Sequence, residues 1–302
     1  MNSNLSWPEL DYNEWSETLE TLHMKMQIAG KIKLALNPFL NQWWNVALYI
    51  NTSGIGTGVI PYKDDSKDII FEINFDFVNH HVCVRSSDTR TKIIPLENSV
   101  AEFYSELMKA LNELGISVTI STLPCEVPNP VHCNEDERKA HDRDYIERWW
   151  KVMISSQKVF EKFRSGFCGK SSPIHFFWGS FDLSGTRFNG GRCTPPMPGI
   201  IMKYAENEEN FAFGFWPGNK NYPIAAYYSY MYPSNEKIPG LKINGPGFYS
   251  KELGEFILNY EDVRKSDNAE ETITEFLNET YNKTTEAKGW DVKSFEGPVP
   301  EK

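Results

Sequence analysis

The residues best suited to chemistry are packed into Ser172 to Arg192, SPIHFFWGSFDLSGTRFNGGR, where a histidine, an aspartate and two arginines lie among aromatic rings. His175 is of the type that works as a general acid or base, because an imidazole titrates near neutrality. The same ring would also serve as a core histidine held by a backbone acceptor. Asp182, on an apolar strand, needs a partner because a lone buried carboxylate is costly, and Arg187 or Arg192 would supply it. An Asp–Arg pair is more often structural than catalytic. Two arginines beside aromatic walls are also how a protein grips a carboxylate or phosphate with paired hydrogen bonds. The stretch therefore nominates His175 and Asp182 as catalytic candidates, and Arg187 and Arg192 as ligands for an anionic small molecule.

The elements that position these groups are constrained by length. As one unbroken strand the stretch would span on the order of 65 Å, several times the usual strand, so it must bend. Gly179 and Gly185 are the expected places for a bulge. In an unbulged strand His175, Phe177 and Phe181 share one face, while Trp178, Ser180 and Asp182 share the other. A bulge at Gly179 would bring His175 and Asp182 to the same side.

Motifs with a known mechanism are missing. Ser180 in WGSFD is no GxSxG elbow, and Gly185 to Arg192 lacks the Lys and Ser/Thr that touch phosphate and magnesium. No GxGxxG follows a strand, no HExxH occurs, and no cofactor is called for. His80 and His81 are neighbours on extended chain and face opposite sides, so they do not share a metal. Cys125, His132, Cys133 and His141 match no standard zinc spacing and are read as part of a solvated connector, so no metal site is assigned. The five cysteines are odd in number with no CxxC, which fits free thiols and a cytoplasmic protein.

The formal charge of -10, with basic clusters no longer than pairs, argues against an affinity built on neutralising a phosphate backbone, so no nucleic-acid partner is expected. No window approaches eighteen consecutive apolar residues, and the N-terminus has no signal-peptide pattern, so no membrane association is expected. The aromatic fraction of 14% compensates for a modest apolar fraction of 40% and argues for a folded core.

Helical periodicity marks Tyr12 to Ala35, Phe103 to Leu114, Tyr145 to Arg164 and Asn268 to Ala287, with capping boxes at Asp11/Glu14, Ser99/Glu102 and Asp267/Glu270. A short helix is expected over KELGEFIL. His23, Gln27 and Lys31 lie on one side of the first helix, either as a solvated face or as the lining of a cleft. Alternation marks strands in NVALYIN, Ile69 to Phe77, HVCVRS, TKIIPL, ISVTISTL, NFAFGFWPG and IAAYYSYMYP. The expected fold class is α+β, antiparallel sheets with packed helices. It divides into an N-terminal half (1–124), a polar linker or loop (125–144), a C-terminal half (145–290) and a loose tail (291–302), the halves forming one compact unit. Both halves run long helix, Gly-Lys pair, strands, helix, which suggests two diverged repeats; the alternative is an ordinary α+β domain with two helical layers.

WPELDYNEW, TLHMKMQIAGK, Trp43-Trp44, FRSGFCGKSSPIHFFWGSFDLSGTRFNGGR, GFWPG, YSYMYP and YEDVR together resemble a mainly bacterial family of uncharacterised proteins known only as a domain of unknown function. The resemblance runs from Trp7 to about Trp290. It implies a single family unit of this size and no activity.

The expected site is a concave pocket near the junction of the halves. Its walls would be Trp43, Trp44, Trp178, Trp216, Tyr228 and Tyr230, with His175, Asp182, Arg187 and Lys31 as polar groups. The alternative is a non-catalytic interaction module, because Trp, Tyr and Arg are also the usual interface anchors. The sequence specifies no reaction and no oligomeric state.

Overall fold

A computed structural model describes residues 6–297. Among them, helices and two antiparallel sheets of six strands each make an α+β fold. The first helical pattern forms α1 (Tyr12–Leu36), in which Trp15, Leu19, Leu22, Met26 and Ala29 are buried as their spacing demands. Lys25, Gln27, Lys31 and Lys33 are buried as well. Among the described residues no carboxylate pairs with these ammonium groups. Lys25 donates to the Leu96 carbonyl, Lys31 to those of Ser121 and Leu123, and Lys33 to those of Ala47 and Thr57. Burial disfavours their charge and holds Lys25 and Lys33 down to about 8. The central helix thus ties surrounding loops to itself through their backbone.

The first sheet contains β1 (Tyr49–Ile50), β2 (Gly54–Gly56), β3 (Ile60–Lys63), β4 (Asp68–Asp76), β5 (His81–Ser86) and β6 (Thr91–Pro95). Its order is β1-β2-β4-β5-β6, with β3 also on β4. Phe71, Ile73 and Phe75 of β4 turn inward and Glu72, Asn74 and Asp76 do not, as the alternation requires. Phe75 meets Phe103 of α2 (Val100–Glu113), ring centroids 5.9 Å apart. That helix opens with the reciprocal box of Ser99 and Glu102.

After α3 (Arg143–Arg164) come β7 (His175–Phe177), β8 (Asp182–Arg192), the short α4 (Ile200–Ala205), β9 (Glu208–Trp216) and β10 (Ala226–Tyr232). β11 (Phe248–Ser250), β12 (Glu255–Asn259), α5 (Tyr260–Lys265) and α6 (Ala269–Lys288) complete the described chain apart from short turns. The second sheet runs β11-β12-β10-β9-β8-β7. One of its faces is sealed by α3 and α6, through contacts such as Phe163 with Phe213 and Phe211 with Tyr281. A bridge between Leu48 and Phe176 joins the two sheets, and one core cluster spans both halves.

Two local expectations change, those for Ile116 to Leu123 and for KELGEFIL. Ile116 to Leu123 alternates but pairs with no strand, because the Ser121 and Leu123 carbonyls are taken by Lys31. KELGEFIL supplies the turn of the β11–β12 hairpin, with Gly254 at φ 76°, and most of β12. Residues 125–142 hold no helix or strand, yet Cys133 and Asp136 are buried, and the Asp136 carbonyl accepts from Ala101 N at 2.9 Å. In the expected tail, Val292–Phe295 forms a helical turn, and Gly297 N donates to the Gly166 carbonyl at 2.8 Å. The end of that tail lies outside the described residues. Among the described residues no helix is long and apolar enough to cross a membrane, no group of three metal-ligating side chains occurs, and all five cysteines are free.

Candidate functional site

The density of functional residues in Ser172 to Arg192 is resolved by a hairpin. The chain reverses over Trp178 to Phe181, so Phe177 pairs with Asp182 and His175 with Ser184. Directly opposed residues of an antiparallel pair point to the same face, which brings His175 and Asp182 together without a bulge at Gly179. Phe181, not a glycine, takes the left-handed conformation, with φ 62°. Gly179 is needed for another reason, since a Cβ there would collide with Glu126 Oε1. The turn is held from α1, where His23 Nε2 lies 2.9 Å from the Trp178 carbonyl and 3.0 Å from that of Gly179. Four residues on, the Gln27 amide binds both the N–H and the carbonyl of Cys125. The polar stripe of α1 faces inward and fixes two walls of a cavity.

That cavity, about 800 Å³, lies on the face of the second sheet opposite α3 and α6. Its floor is β7, β8 and β10, through His175, Phe177, Asp182, Ser184, Thr186, Phe188, Tyr228 and Tyr230. Loop 119–126 and Lys31 form one wall, and Trp43, Trp44 and α4 another. Trp43 Nε1 donates to the Ile201 carbonyl at 2.9 Å and so ties those last two together. Gln42, Trp43 and Glu126 line the cavity with φ of 49°, 59° and 58°. Non-glycine residues in that region cost about 1–3 kcal/mol each and concentrate where a site needs them.

The lining is acidic. Asp182 accepts from the Ser180 and Tyr228 hydroxyls, and Glu206 accepts from Tyr230 at 2.9 Å and Asn210 at 2.7 Å. Burial lifts the Asp182, Glu126 and Glu206 carboxyls above their ordinary range, and Asp182 lifts Glu126 further. Glu255, on the same face of β12, is pushed up to about 7 by burial and by Asp182. Among the described residues the lining holds one cation, Lys31, and its ammonium is committed to two carbonyls. Coupled carboxyls of this kind can hold or release a proton next to a bound molecule.

Of the residues singled out from sequence, Lys31, Trp43, Trp44, Trp178, His175, Asp182, Tyr228 and Tyr230 come together around the cavity. Arg187, Arg192 and Trp216 do not. Arg187 is five residues from Asp182 on one strand, and an odd offset puts it on the other face, against Phe163 and Tyr281. Arg192 lies beyond a register shift and pairs with Glu208 at 3.1 Å, its side chain largely in solvent. Trp216 shares the face but lies at the far end of β9, packed on Tyr222. The aspartate's expected arginine partner is therefore replaced by two hydroxyls. Glu126, Glu206, Gln42 and α4 were not anticipated, because they reach the cavity from segments with no chemical pattern.

His175 is not placed as a proton shuttle. Trp44, Tyr49 and Phe177 surround it at 5.8, 5.5 and 5.3 Å, and both ring nitrogens are buried with no partner among the described residues. Burial, with Lys33 and Arg164 nearby, lowers its pKa to about 3, so the ring is neutral. With a folded pKa below the unfolded value of about 6.5, only the unfolded chain takes up this proton as pH falls from 6.5 towards 3, and stability is lost across that window. Replacing His175 by phenylalanine removes two unsatisfied polar atoms and this proton. The variant is expected to be about 1–3 kcal/mol more stable at pH 7, and to lose less stability on going to pH 5, in urea titrations at both pH values.

No curated protein and no solved structure matches the chain. The family model of DUF5996, a family of unknown function, matches residues 7–297, and the chain belongs to that family.

Proposed function

We propose that the chain binds a small, largely apolar molecule in the cavity over β7, β8 and β10, and that this molecule is neutral or cationic. The observation that carries the reading is the lining: aromatic walls, three carboxyls at Asp182, Glu126 and Glu206 and, among the described residues, no uncommitted cation. Cavities of several hundred Å³ with a few converging polar groups are the usual seat of small ligands. The anionic ligand expected from the sequence depended on Arg187 and Arg192, and neither lines this cavity. An anion here would raise the pKa of these three carboxyls further and could settle only beside their protonated forms, whereas a cation would favour their ionisation. Free thiols fit a reducing compartment, and the net charge of -10 argues against nucleic acid as the partner.

The interaction-module reading keeps one observation in its favour. Phe39, Ile200 and Ile201 are exposed at the edge of the cavity, where the Phe39 and Tyr204 rings pack at a tilt with centroids 5.1 Å apart. An interface, however, needs no hole behind it.

Indole, tryptamine and indole-3-acetate offer one ring with three charges, and calorimetric titration of each tests the proposal. Tryptamine and indole are expected to bind with indole-3-acetate weakest. Binding of indole-3-acetate ahead of the other two, or of none of them, overturns it.

A further inference from the structure

We propose a second binding site, for a small oxyanion such as a carboxylate or phosphate, at Arg187 on the helix-covered face of the second sheet. Arg187 is 7% exposed and lines a separate cavity of about 320 Å³ between the end of α3 and α6. Its guanidinium carbon lies 3.7 Å from the Phe163 ring centre, 4.5 Å from Tyr281 and 5.1 Å from Phe167. These rings attract the cation through its π-faced contacts, worth about 2 kcal/mol when desolvated. Burying a charge costs several kcal/mol, so the rings alone do not offset it.

The remaining demand lies in the plane of the guanidinium, where its five N–H groups point. Nη2 donates to the Phe163 carbonyl, while Nε is buried with no partner among the described residues. No carboxylate forms an ion pair with Arg187 among the described residues, although Glu296 stands on the same cavity wall. Desolvation lowers its pKa to about 10, against an upward pull from the neighbouring Tyr281 hydroxyl. The cavity is furnished for an anion by Lys162, Ser165, Asn278 and Asn282, which add a second cation and neutral donors. An oxyanion there would take the guanidinium N–H groups that face the cavity and neutralise the buried charge, while Nε, sealed from solvent, stays out of its reach.

The test follows thermal melting of the full chain as sodium phosphate or sodium acetate is titrated at ionic strength held constant with sodium chloride. A saturable rise in Tm is expected with at least one of the two, and which one responds separates a phosphate ligand from a carboxylate. Arg187→Gln is expected to abolish the rise. Should that variant fail to fold, Asn278→Asp supplies the missing carboxylate from within. It is expected to raise Tm without added anion and to remove the response. No saturable rise in the wild type, a rise that survives in either variant, or an Asn278→Asp protein that melts lower overturns the proposal.

Discussion

Replacing Gly30 with alanine is expected to destabilise the protein by about 3 kcal/mol, although the same change in an ordinary helix interior stabilises by about 1 kcal/mol. The reason is a contact between α1 and the hairpin turn. A Cβ on Gly30 would fall among the ring atoms of Trp178, whose indole N–H is bonded to the Val46 carbonyl at 3.0 Å. The indole cannot yield without leaving that carbonyl and vacating a cavity wall. Loss of a buried tryptophan's packing costs about 3–5 kcal/mol, which outweighs the gain in helix propensity. A urea midpoint that falls, with tryptophan fluorescence shifted to the red, checks this; a midpoint that rises would mean that Trp178 does not pack on Gly30.

The second large effect separates binding from stability. Asp182→Asn keeps a polar group in reach of Ser180 and Tyr228 but removes the carboxyl that a cationic ligand would induce to ionise. Hydrogen bonds to charged groups contribute about 1.5–3 kcal/mol, so tryptamine is expected to bind roughly 10- to 100-fold more weakly, while indole changes little. Stability moves the other way. A carboxyl whose folded pKa is raised stabilises most below its unfolded value of about 4, and loses that contribution as pH rises through the folded pKa. The asparagine variant has no such loss and is expected to gain on the wild type as pH rises above 4. Calorimetric titration with both ligands and urea unfolding at two pH values read the two effects independently. Equal weakening for both ligands would count against a charge-specific role for Asp182.

The fold class was legible because its periodicities are strong. The alternation of Phe71, Ile73 and Phe75 and the stripe along α3 correspond to real buried faces. Shorter signals failed where a tertiary contact decided the outcome. Ile116 to Leu123 has a strand's alternation, but a lysine on α1 claims its carbonyls. KELGEFIL has a helix's composition, yet the glycine at 254 makes it the turn and most of the second strand of a hairpin. Most of the cavity's aromatic residues could be named from sequence, since rings of that density seldom lie idle. What could not be read was the parity. Once β8 is known to begin at Asp182, simple alternation sends Arg187 to the opposite face, but nothing in the sequence marks where the chain reverses. Glu126 and Glu206 come from segments that resemble ordinary polar loops, so the acidic character of the site emerged only from the fold.

The most direct test of the cavity's role is a crystal structure of the protein grown or soaked with tryptamine. The account predicts the indole ring between the walls formed by Trp44, Trp178 and Tyr228, with its amine within hydrogen-bonding distance of the Asp182 or Glu126 carboxyl. An empty cavity at saturating tryptamine, or a ligand whose amine points away from both carboxyls, would contradict it.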